Sequence, residues 1–314
     1  MIRNSKNYFW HLYKILYKKN VNPSYLIYYP TSICNLKCSH CFYHDSLNSK
    51  FDELSLDEID QMTKSTDPLL SLILTGGEPY IRKYIHEIVK IFYKNTKLPI
   101  VSITSNRFYT KRMMPMVESI VKECSDLTLN QQISIDGVCE DHDKIRGVKG
   151  SYDKLLNTIN ELKIIQNDFS NLNIGVIITF ISENQDKIKN YVYEIYEKIR
   201  PDNISINLVR GDPKEKVNVN LDIKKYKEVV KLRDNLYFSK KLNSLKNFKG
   251  NKFVTAGRVI LNKYVNEVYE RGKYISPCYS ANLSGVIYPE GDIYPCEILD
   301  KSHKIGNIRD YGLD

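Results

Sequence analysis

The chain has 314 residues, with 46 Lys and Arg against 37 Asp and Glu, which gives a formal net charge of +9. Hydrophobic residues make up 42% and charged residues 26%, a balance that excludes disordered, collagen-like and coiled-coil classes. The lysines are scattered and form no block of five or more basic residues. We therefore interpret the charge as a solvated surface and expect no nucleic-acid partner.

The sequence predicts neither a membrane span nor a disulfide framework. The longest apolar stretch, Ile174 to Ile181, is far shorter than a membrane-spanning helix. The aromatic residues at 9–17 predict an amphipathic helix that packs on the main domain or lies on a membrane surface, and no signal-peptide cleavage site follows it. Seven cysteines without an export signal indicate a reducing, cytoplasmic location.

Apolar strand-like runs alternate with helical patterns from Tyr25 onward. The predicted strands cover residues 25–33, 69–74, 99–104, 127–135, 172–180 and 203–209. Helices are predicted between them, one opened by a capping box from Ser55 to Glu58 and another capped by Ser151. Near-continuous apolar strands are typical of parallel sheets. We therefore predict an α/β fold built on a partial (β/α)6 TIM-like barrel, with an open doubly wound sheet as the alternative.

The pattern changes after Gly211. A Lys-rich helical segment comes first, and the chain then has short Tyr, Ile and Val runs split by Pro-Glu-Gly-Asp, which is typical of a hairpin. We predict four parts in the chain. They are an N-terminal helix (1–24), the barrel (25–215), a helical bridge (216–273) and a small hairpin-containing domain (274–314).

Three cysteines follow the first predicted strand with the spacing CxxxCxxC, at Cys34, Cys38 and Cys41. Three thiolates on one tight loop can occupy three corners of an iron–sulfur cube, which leaves one iron without a protein ligand. The alternative is a zinc site with His40 or His44 as the fourth ligand.

A Thr-Gly-Gly-Glu-Pro turn, residues 75–79, ends the second strand. Gly76 and Gly77 allow a ligand to approach the backbone closely because no Cβ intervenes. Glu78 offers a carboxylate suited to an ammonium group. The alternative is an ordinary strand-to-helix turn in which Glu78 is a first-turn charge.

Other polar residues end the next strands at the same edge of the sheet, where α/β folds place their chemistry. Ser105 and Asn106 follow the third strand. Ser134 and Asp136 are two apart and are expected on one face, where they suit a ribose diol, unless Asp136 only forms an Asp-Gly turn. Arg146 can bind a carboxylate with two hydrogen bonds, or is a surface charge.

Taken together, these motifs resemble radical S-adenosylmethionine (SAM) enzymes that carry a C-terminal SPASM or twitch domain. The matching segments are CNLKCSHC (34–41), TGGEP (75–79), ISIDG (133–137), HDKIRG (142–147) and the GVIYPEGDIYPCE run that ends at Glu297. The resemblance implies that Cys34, Cys38 and Cys41 hold a 4Fe–4S cluster whose free iron binds SAM. It also implies reductive cleavage of SAM to a 5′-deoxyadenosyl radical, which takes hydrogen from a peptide or small-molecule substrate.

The resemblance implies SAM contacts at the strand ends. Adenine is assigned to the backbone of His40 and to Leu208, the methionine amine to Gly77 and Glu78, the ribose to Ser134, and the carboxylate to Arg146. We add Gly76, Ser105, Asn106 and Asp136 to this predicted cofactor-binding set. A reductant such as flavodoxin or ferredoxin is the implied protein partner.

The C-terminal cysteines follow the pattern C-x12-G-x4-C, from Cys278 to Cys296. In the resembled family this pattern opens an auxiliary-cluster domain, whose later cysteines do not occur before Asp314. We therefore expect an incomplete domain and doubt an auxiliary cluster. Glu297 follows Cys296, where the resemblance implies a carboxylate that takes a proton from substrate, although it is alternatively a charged residue beside a hairpin.

Two other functions stay open at this point. One is a radical SAM dehydrogenase or epimerase that acts on a small metabolite or sugar. The other is a zinc-stabilised α/β binding module without catalytic activity.

Overall fold

The computed structural model describes residues 10–11, 13–14, 22–242 and 251–311. Strands and helices alternate along most of this chain. The strands are β1 (Tyr25–Tyr28), β2 (Ser71–Leu74), β3 (Ile100–Ser105), β4 (Thr128–Ser134), β5 (Leu172–Phe180), β6 (Asn203–Leu208), β7 (Ser284–Ile287), β8 (Asp292–Tyr294) and β9 (Gly306–Asn307). The helices are α1 (Leu56–Ser65), α2 (Ile85–Thr96), α3 (Thr110–Glu123), α4 (Glu140–Arg146), α5 (Ser151–Asp168), α6 (Ile188–Ile199), α7 (Ile223–Phe238), α8 (Asn251–Arg271) and α9 (Ile308–Tyr311).

One sheet contains all nine of these strands, in the order β6-β5-β4-β3-β2-β1-β7-β8-β9. Strands β1 to β6 pair in parallel, each with its neighbour along the chain. The sheet is open, with β6 at one edge and β9 at the other, so the predicted partial barrel is confirmed. All seven residues of β4 are buried, as expected of a strand with helices on one face and the barrel interior on the other.

The C-terminal hairpin continues this sheet. Strand β7 pairs in parallel with β1, from Tyr25 opposite Ser284 to Tyr28 opposite Ile287. Strands β8 and β9 then add antiparallel strands. Residues of the predicted small domain therefore extend the barrel sheet next to the strand that leads into the cysteines. The four-part division of the chain stays a prediction.

Local capping shows where sequence patterns succeed and fail. The capping box at α1 is confirmed, since the Ser55 N–H donates to Glu58 Oε2 at 2.7 Å and the Glu58 N–H donates to Ser55 Oγ at 3.2 Å. The predicted Ser151 cap is wrong. The N-cap of α5 is Gly150, with φ +78°, and the Ser151 hydroxyl instead donates to Asp143 Oδ1 at 2.8 Å.

The segment after β6 is helical, as predicted, and contains the two helices α7 and α8. Part of the predicted bridge, residues 243–250, lies outside the described residues, as does most of the helix predicted at 9–17. Residues 10–11 and 13–14 of that helix are described and are helical. Within the described part of the chain, the helices are too short or too polar to cross a membrane.

Candidate active site

A cavity of 570 Å³ opens at the carboxyl ends of the parallel strands. Most of the residues that line it come from the cysteine loop, from β1 to β6 and from the segment after β8, and Leu261 of α8 lines it as well. The predicted site residues among them are Cys34, Cys38, His40, Cys41, Gly76, Gly77, Glu78, Ser105, Asn106, Ser134, Arg146, Leu208 and Glu297. The structure thus brings together the predicted residues, with Asp136 as the exception.

Gly77 and Glu78 of the Gly-Gly-Glu-Pro turn hold the start of the cysteine loop. The Gly77 N–H donates to the Thr31 carbonyl at 3.0 Å, and the Glu78 N–H donates to the Ile33 carbonyl at 2.8 Å. A Cβ on Gly77 would lie 2.2 Å from the Ile33 oxygen. The glycines were expected to let a ligand approach the backbone closely. In the structure the backbone of Ile33, one residue before Cys34, lies this close instead.

The end of α4 holds the other side of the same loop. The Lys37 N–H donates to the Arg146 carbonyl at 3.1 Å, and the Ser39 N–H donates to the Ile145 carbonyl at 2.9 Å. Gly147 ends the helix with φ +71°, and a Cβ there would lie 2.7 Å from the Lys37 oxygen. Loop residues on both sides of Cys38 are thus fixed by the carboxyl end of a helix.

The three thiols of the loop are partly buried and face the cavity. Burial raises the pKa of Cys34 to about 12 and that of Cys41 to about 11. Metal coordination reverses this effect, because a bound iron deprotonates its thiol outright. The donor set fits an iron–sulfur cube, which takes one thiolate at each of three irons.

The geometry does not favour the zinc alternative. His40 Nε2 lies 3.4 Å from Asp136 Oδ2, and His44 Nδ1 lies 3.0 Å from Asp45 Oδ1. A carboxylate partner on one ring nitrogen is common in metal-bound histidines, so these pairs do not decide between zinc and an iron–sulfur cube. Across residues 22–242 and 251–311, no three His, Cys, Asp or Glu side chains converge as a single-ion site would require.

Glu78 is buried beneath the cavity and organises the ends of β2 and β3. Its carboxylate accepts hydrogen bonds from Ser105 Oγ at 2.7 Å, from the Asn106 N–H at 2.8 Å and from the Tyr80 N–H at 3.1 Å. Burial raises the pKa of Glu78 in spite of these bonds. An amine bound here would join a carboxylate that already accepts three hydrogen bonds.

Asn106 carries this arrangement to the cysteine loop. Its Nδ2 donates to Asn35 Oδ1 at 3.0 Å and lies 3.9 Å from Cys34 Sγ. The predicted pair Ser105 and Asn106 therefore links the Glu78 carboxylate to the first cysteine.

Asp136 departs from its predicted place. It is fully buried, and its Oδ1 accepts a hydrogen bond from the Thr179 N–H at 2.7 Å, while its Oδ2 lies 2.5 Å from Arg146 Nη2. Burial alone would raise the pKa of Asp136, but the nearby Arg146 and His40 lower it below the usual value. The predicted common face with Ser134 fails because β4 ends at Ser134 and the strand alternation ends with it. Of the two, only Ser134 lines the cavity.

Arg146 faces the cysteine loop and is 7% exposed. Its Nη1 lies 3.5 Å from Cys38 Sγ. Within the described part of the chain, Arg146 Nε and His40 Nδ1 are buried nitrogen atoms that make no hydrogen bond. Both residues line the cavity.

Glu297 reaches the same cavity from the C-terminal hairpin and is 7% exposed. The Tyr29 hydroxyl donates to its Oε2 at 2.9 Å, and Arg210 forms an ion pair with its Oε1. The pairing of β7 with β1 brings this carboxylate beside the cysteine loop. Glu297 therefore lines the same cavity as the three cysteines, and its role as a proton acceptor stays a prediction.

Sequence analysis did not identify the aromatic wall behind Glu297. The rings of Tyr29 and Tyr288 lie 4.8 Å apart, and Tyr43 lies 5.1 Å from Tyr29. Arg210 lies over the ring of Phe42 at 5.5 Å. The chain contains 24 tyrosines, so no compositional signal distinguished these three from the others.

The remaining cysteines do not line the cavity. Cys278 is exposed, Cys296 is partly buried, Cys124 is buried in the core and Cys139 is exposed at the start of α4. An auxiliary cluster at Cys278 and Cys296 stays a prediction.

Comparison with known proteins finds a matching family and related sequences. Residues 28–192 match the profile of the Radical SAM superfamily. The chain is 25% identical to the cysteine-type anaerobic sulfatase-maturating enzyme of Clostridium novyi, over 91% of this chain and 77% of that protein. It is 24% identical to the antilisterial bacteriocin subtilosin biosynthesis protein AlbA of Bacillus subtilis, over 88% of this chain and 56% of that protein.

Solved structures share the fold at low identity. Native anSMEcpe with bound AdoMet aligns with a TM-score of 0.64 and 20% identity, over 92% of this chain and 79% of that one. Streptococcus suis SuiB bound to precursor peptide SuiA aligns with a TM-score of 0.64 and 16% identity, over 98% of this chain and 66% of that one.

Proposed function

Because the chain belongs to the radical SAM superfamily, whose members use a 4Fe–4S cluster and SAM, we propose that it is an enzyme that modifies a peptide. Its cofactors are those of the superfamily. Two of its relatives, the sulfatase-maturating enzyme and AlbA, support a peptide-modifying role. SuiB, a structural neighbour bound to a precursor peptide, has the same fold.

Cys34, Cys38 and Cys41 are the proposed cluster ligands. When bound, the cluster and SAM supply a 5′-deoxyadenosyl radical that removes a hydrogen atom from an unactivated carbon. The chain's share is to orient the reactants and to exclude water. Ser134 and Leu208, at the ends of β4 and β6, are the proposed neighbours of the SAM ribose and adenine, since both line the cavity with the thiols.

Glu297 is the proposed proton acceptor. Loss of a hydrogen atom leaves a carbon radical, and a neighbouring O–H or N–H group then becomes more acidic. A carboxylate within hydrogen-bond distance can take that proton as a general base. Tyr29 and Arg210 each bind one oxygen of Glu297, which fixes its orientation, while each oxygen keeps a lone pair for another donor.

The observation that carries the proposal is the single cavity shared by the three cysteines and Glu297. The proposed cluster ligands and the proposed proton acceptor therefore line one space. At 570 Å³ it falls within the usual size range of small-molecule and cofactor sites, and its open mouth lets a longer substrate enter from solvent.

The first experiment tests cluster and SAM chemistry without a substrate. Anaerobically reconstituted protein should convert SAM to 5′-deoxyadenosine under a strong reductant, measured by chromatography. The triple variant Cys34→Ala, Cys38→Ala, Cys41→Ala should lose both the brown absorbance and this reaction. Cys139→Ala, at an exposed cysteine that does not line the cavity, is the matched control and should keep both. Cleavage by the triple variant would remove the assignment of these ligands.

The second experiment tests the peptide. Short peptides encoded beside the gene are incubated with the reconstituted enzyme, and their masses are measured. An oxidation lowers the mass by two hydrogen atoms, whereas an epimerisation leaves the mass unchanged and incorporates deuterium from heavy water. Turnover of a sugar or small metabolite, with none of any peptide, would instead support the dehydrogenase or epimerase alternative.

A further inference from the structure

The sulfur of Cys38 faces a charged donor, whereas that of Cys34 faces a neutral one. Arg146 Nη1 lies 3.5 Å from Cys38 Sγ. The nearest side-chain donor to Cys34 is the neutral amide of Asn106, at 3.9 Å. Hydrogen bonds and charge at the ligating sulfurs are among the factors that set the potential of an iron–sulfur cluster.

Asp136 fixes the guanidinium that makes this contact. Its Oδ2 lies 2.5 Å from Arg146 Nη2, and its Oδ1 is held by the Thr179 N–H at 2.7 Å. Asp136 is fully buried and Arg146 is 7% exposed, so water screens the pair weakly. The guanidinium stays charged, because arginine is not deprotonated in proteins.

We propose that Arg146 sets the reduction potential of the cluster through Cys38, and that Asp136 is the positioning residue that holds it there. A positive charge beside a thiolate stabilises the reduced cluster, which carries one more negative charge, so it raises the potential. Asp136 partly neutralises that charge while it fixes the geometry. The inference rests on the proposed ligation of the cluster by Cys34, Cys38 and Cys41.

Substitutions of Arg146 and of Asp136 should shift the reduction potential of the cluster in opposite directions. Arg146→Gln removes the positive charge, so the reduced cluster becomes harder to form. Asp136→Asn removes the neutralising charge while the confined guanidinium still faces Cys38, so the reduced cluster becomes easier to form. General disruption of the site would move both potentials in one direction.

The test is a redox titration of the reconstituted holoenzyme without SAM, followed by electron paramagnetic resonance of the reduced cluster. We expect Arg146→Gln to shift the one-electron equilibrium tenfold towards the oxidised state, which corresponds to about 59 mV. Asp136→Asn should shift it in the opposite sense. Arg146→Lys, which keeps the charge but loses the planar donor geometry, should lie between wild type and Arg146→Gln.

Arg82→Gln is the matched control. Arg82 is a largely buried arginine that pairs with Glu53 and donates to the Leu54 carbonyl, and it does not line the cavity. The cluster of this variant should have the wild-type reduction potential.

Iron and sulfide content separates the possible failures. A full complement in Cys38→Ala would refute the proposed ligand set itself. Wild-type potentials in fully loaded Arg146→Gln and Asp136→Asn would refute the tuning while leaving the ligand set intact. Shifts of one sign in both would refute the role of Asp136. Where Arg146→Gln does not take up the cluster, a wild-type potential in fully loaded Asp136→Asn counts against the proposal.

Discussion

Replacing Gly77 by alanine should displace the cysteine loop without changing any of its three proposed cluster-binding cysteines. The added Cβ would lie 2.2 Å from the Ile33 oxygen, 2.6 Å from the Ile33 carbonyl carbon and 2.8 Å from the Ser32 carbonyl carbon. All three are backbone atoms, so no side-chain rotation relieves the contact. The loop must move by roughly 1 Å to reach ordinary van der Waals distance.

The cost follows from the two hydrogen bonds that this movement breaks. Gly77 and Glu78 donate to the Thr31 and Ile33 carbonyls. Overpacking of a tight site costs about 1–3 kcal/mol and each hydrogen bond about 0.5–1.5 kcal/mol, so Gly77→Ala should lose roughly 2–6 kcal/mol. Because the loop moves relative to the rest of the site, the fractional loss of bound iron should exceed the fractional loss of unfolding free energy.

The assay combines urea unfolding with iron and sulfide content after anaerobic reconstitution. Gly285→Ala in β7 is the matched control, since its Cβ would meet nothing closer than 3.8 Å. The control should keep wild-type cluster content. If Gly77→Ala also takes up a full cluster and cleaves SAM at the wild-type rate, Gly77 does not fix the position of the cysteine loop.

Two further predictions concern Glu297 and His142. Glu297→Gln should leave SAM cleavage without substrate intact but suppress product formation at least tenfold, as measured by mass spectrometry. Glu290→Gln, in the same hairpin, is the control. Equal product from both variants would exclude Glu297 as the base. Burial lowers the pKa of His142 to about 4. The neutral ring therefore contributes at most about 3 kcal/mol to the free energy of unfolding, which is complete above about pH 6.5 and is lost as the pH falls towards 4. The urea midpoint of His142→Gln should therefore depend less on pH between 6.5 and 4, and an equal slope would contradict this.

Signals close together in sequence predicted the elements and the cysteine loop well. Strand β5 has the predicted bounds, and the capping box at Ser55 is present, because both depend on neighbouring residues. The first strand is shorter than predicted. The predicted strand extended to Ile33, but β1 ends at Tyr28 and the following backbone forms the loop held by Gly77.

Long-range packing accounts for what the sequence did not predict. Asp136 was predicted to bind a ligand because the sequence shows that it follows a strand. The sequence does not show that it pairs with Arg146. Tyr29 and Arg210 gained their roles only through Glu297, which comes from a distant part of the chain. Such contacts depend on the pairing of β7 with β1, which no local pattern specifies.

That pairing also sets the order of events during synthesis. Strand β1 leads directly into the cysteine loop, yet its partner on one side is β7, with Tyr25 opposite Ser284. Ribosomes add about 5–20 residues per second, so β1 waits on the order of tens of seconds before that neighbour exists. During this interval β1 has an unpaired edge, and the cavity lacks the wall that contains Glu297. We therefore expect a nascent chain halted before β7 to expose its cysteines to solvent, so that stable cluster insertion follows synthesis of the hairpin.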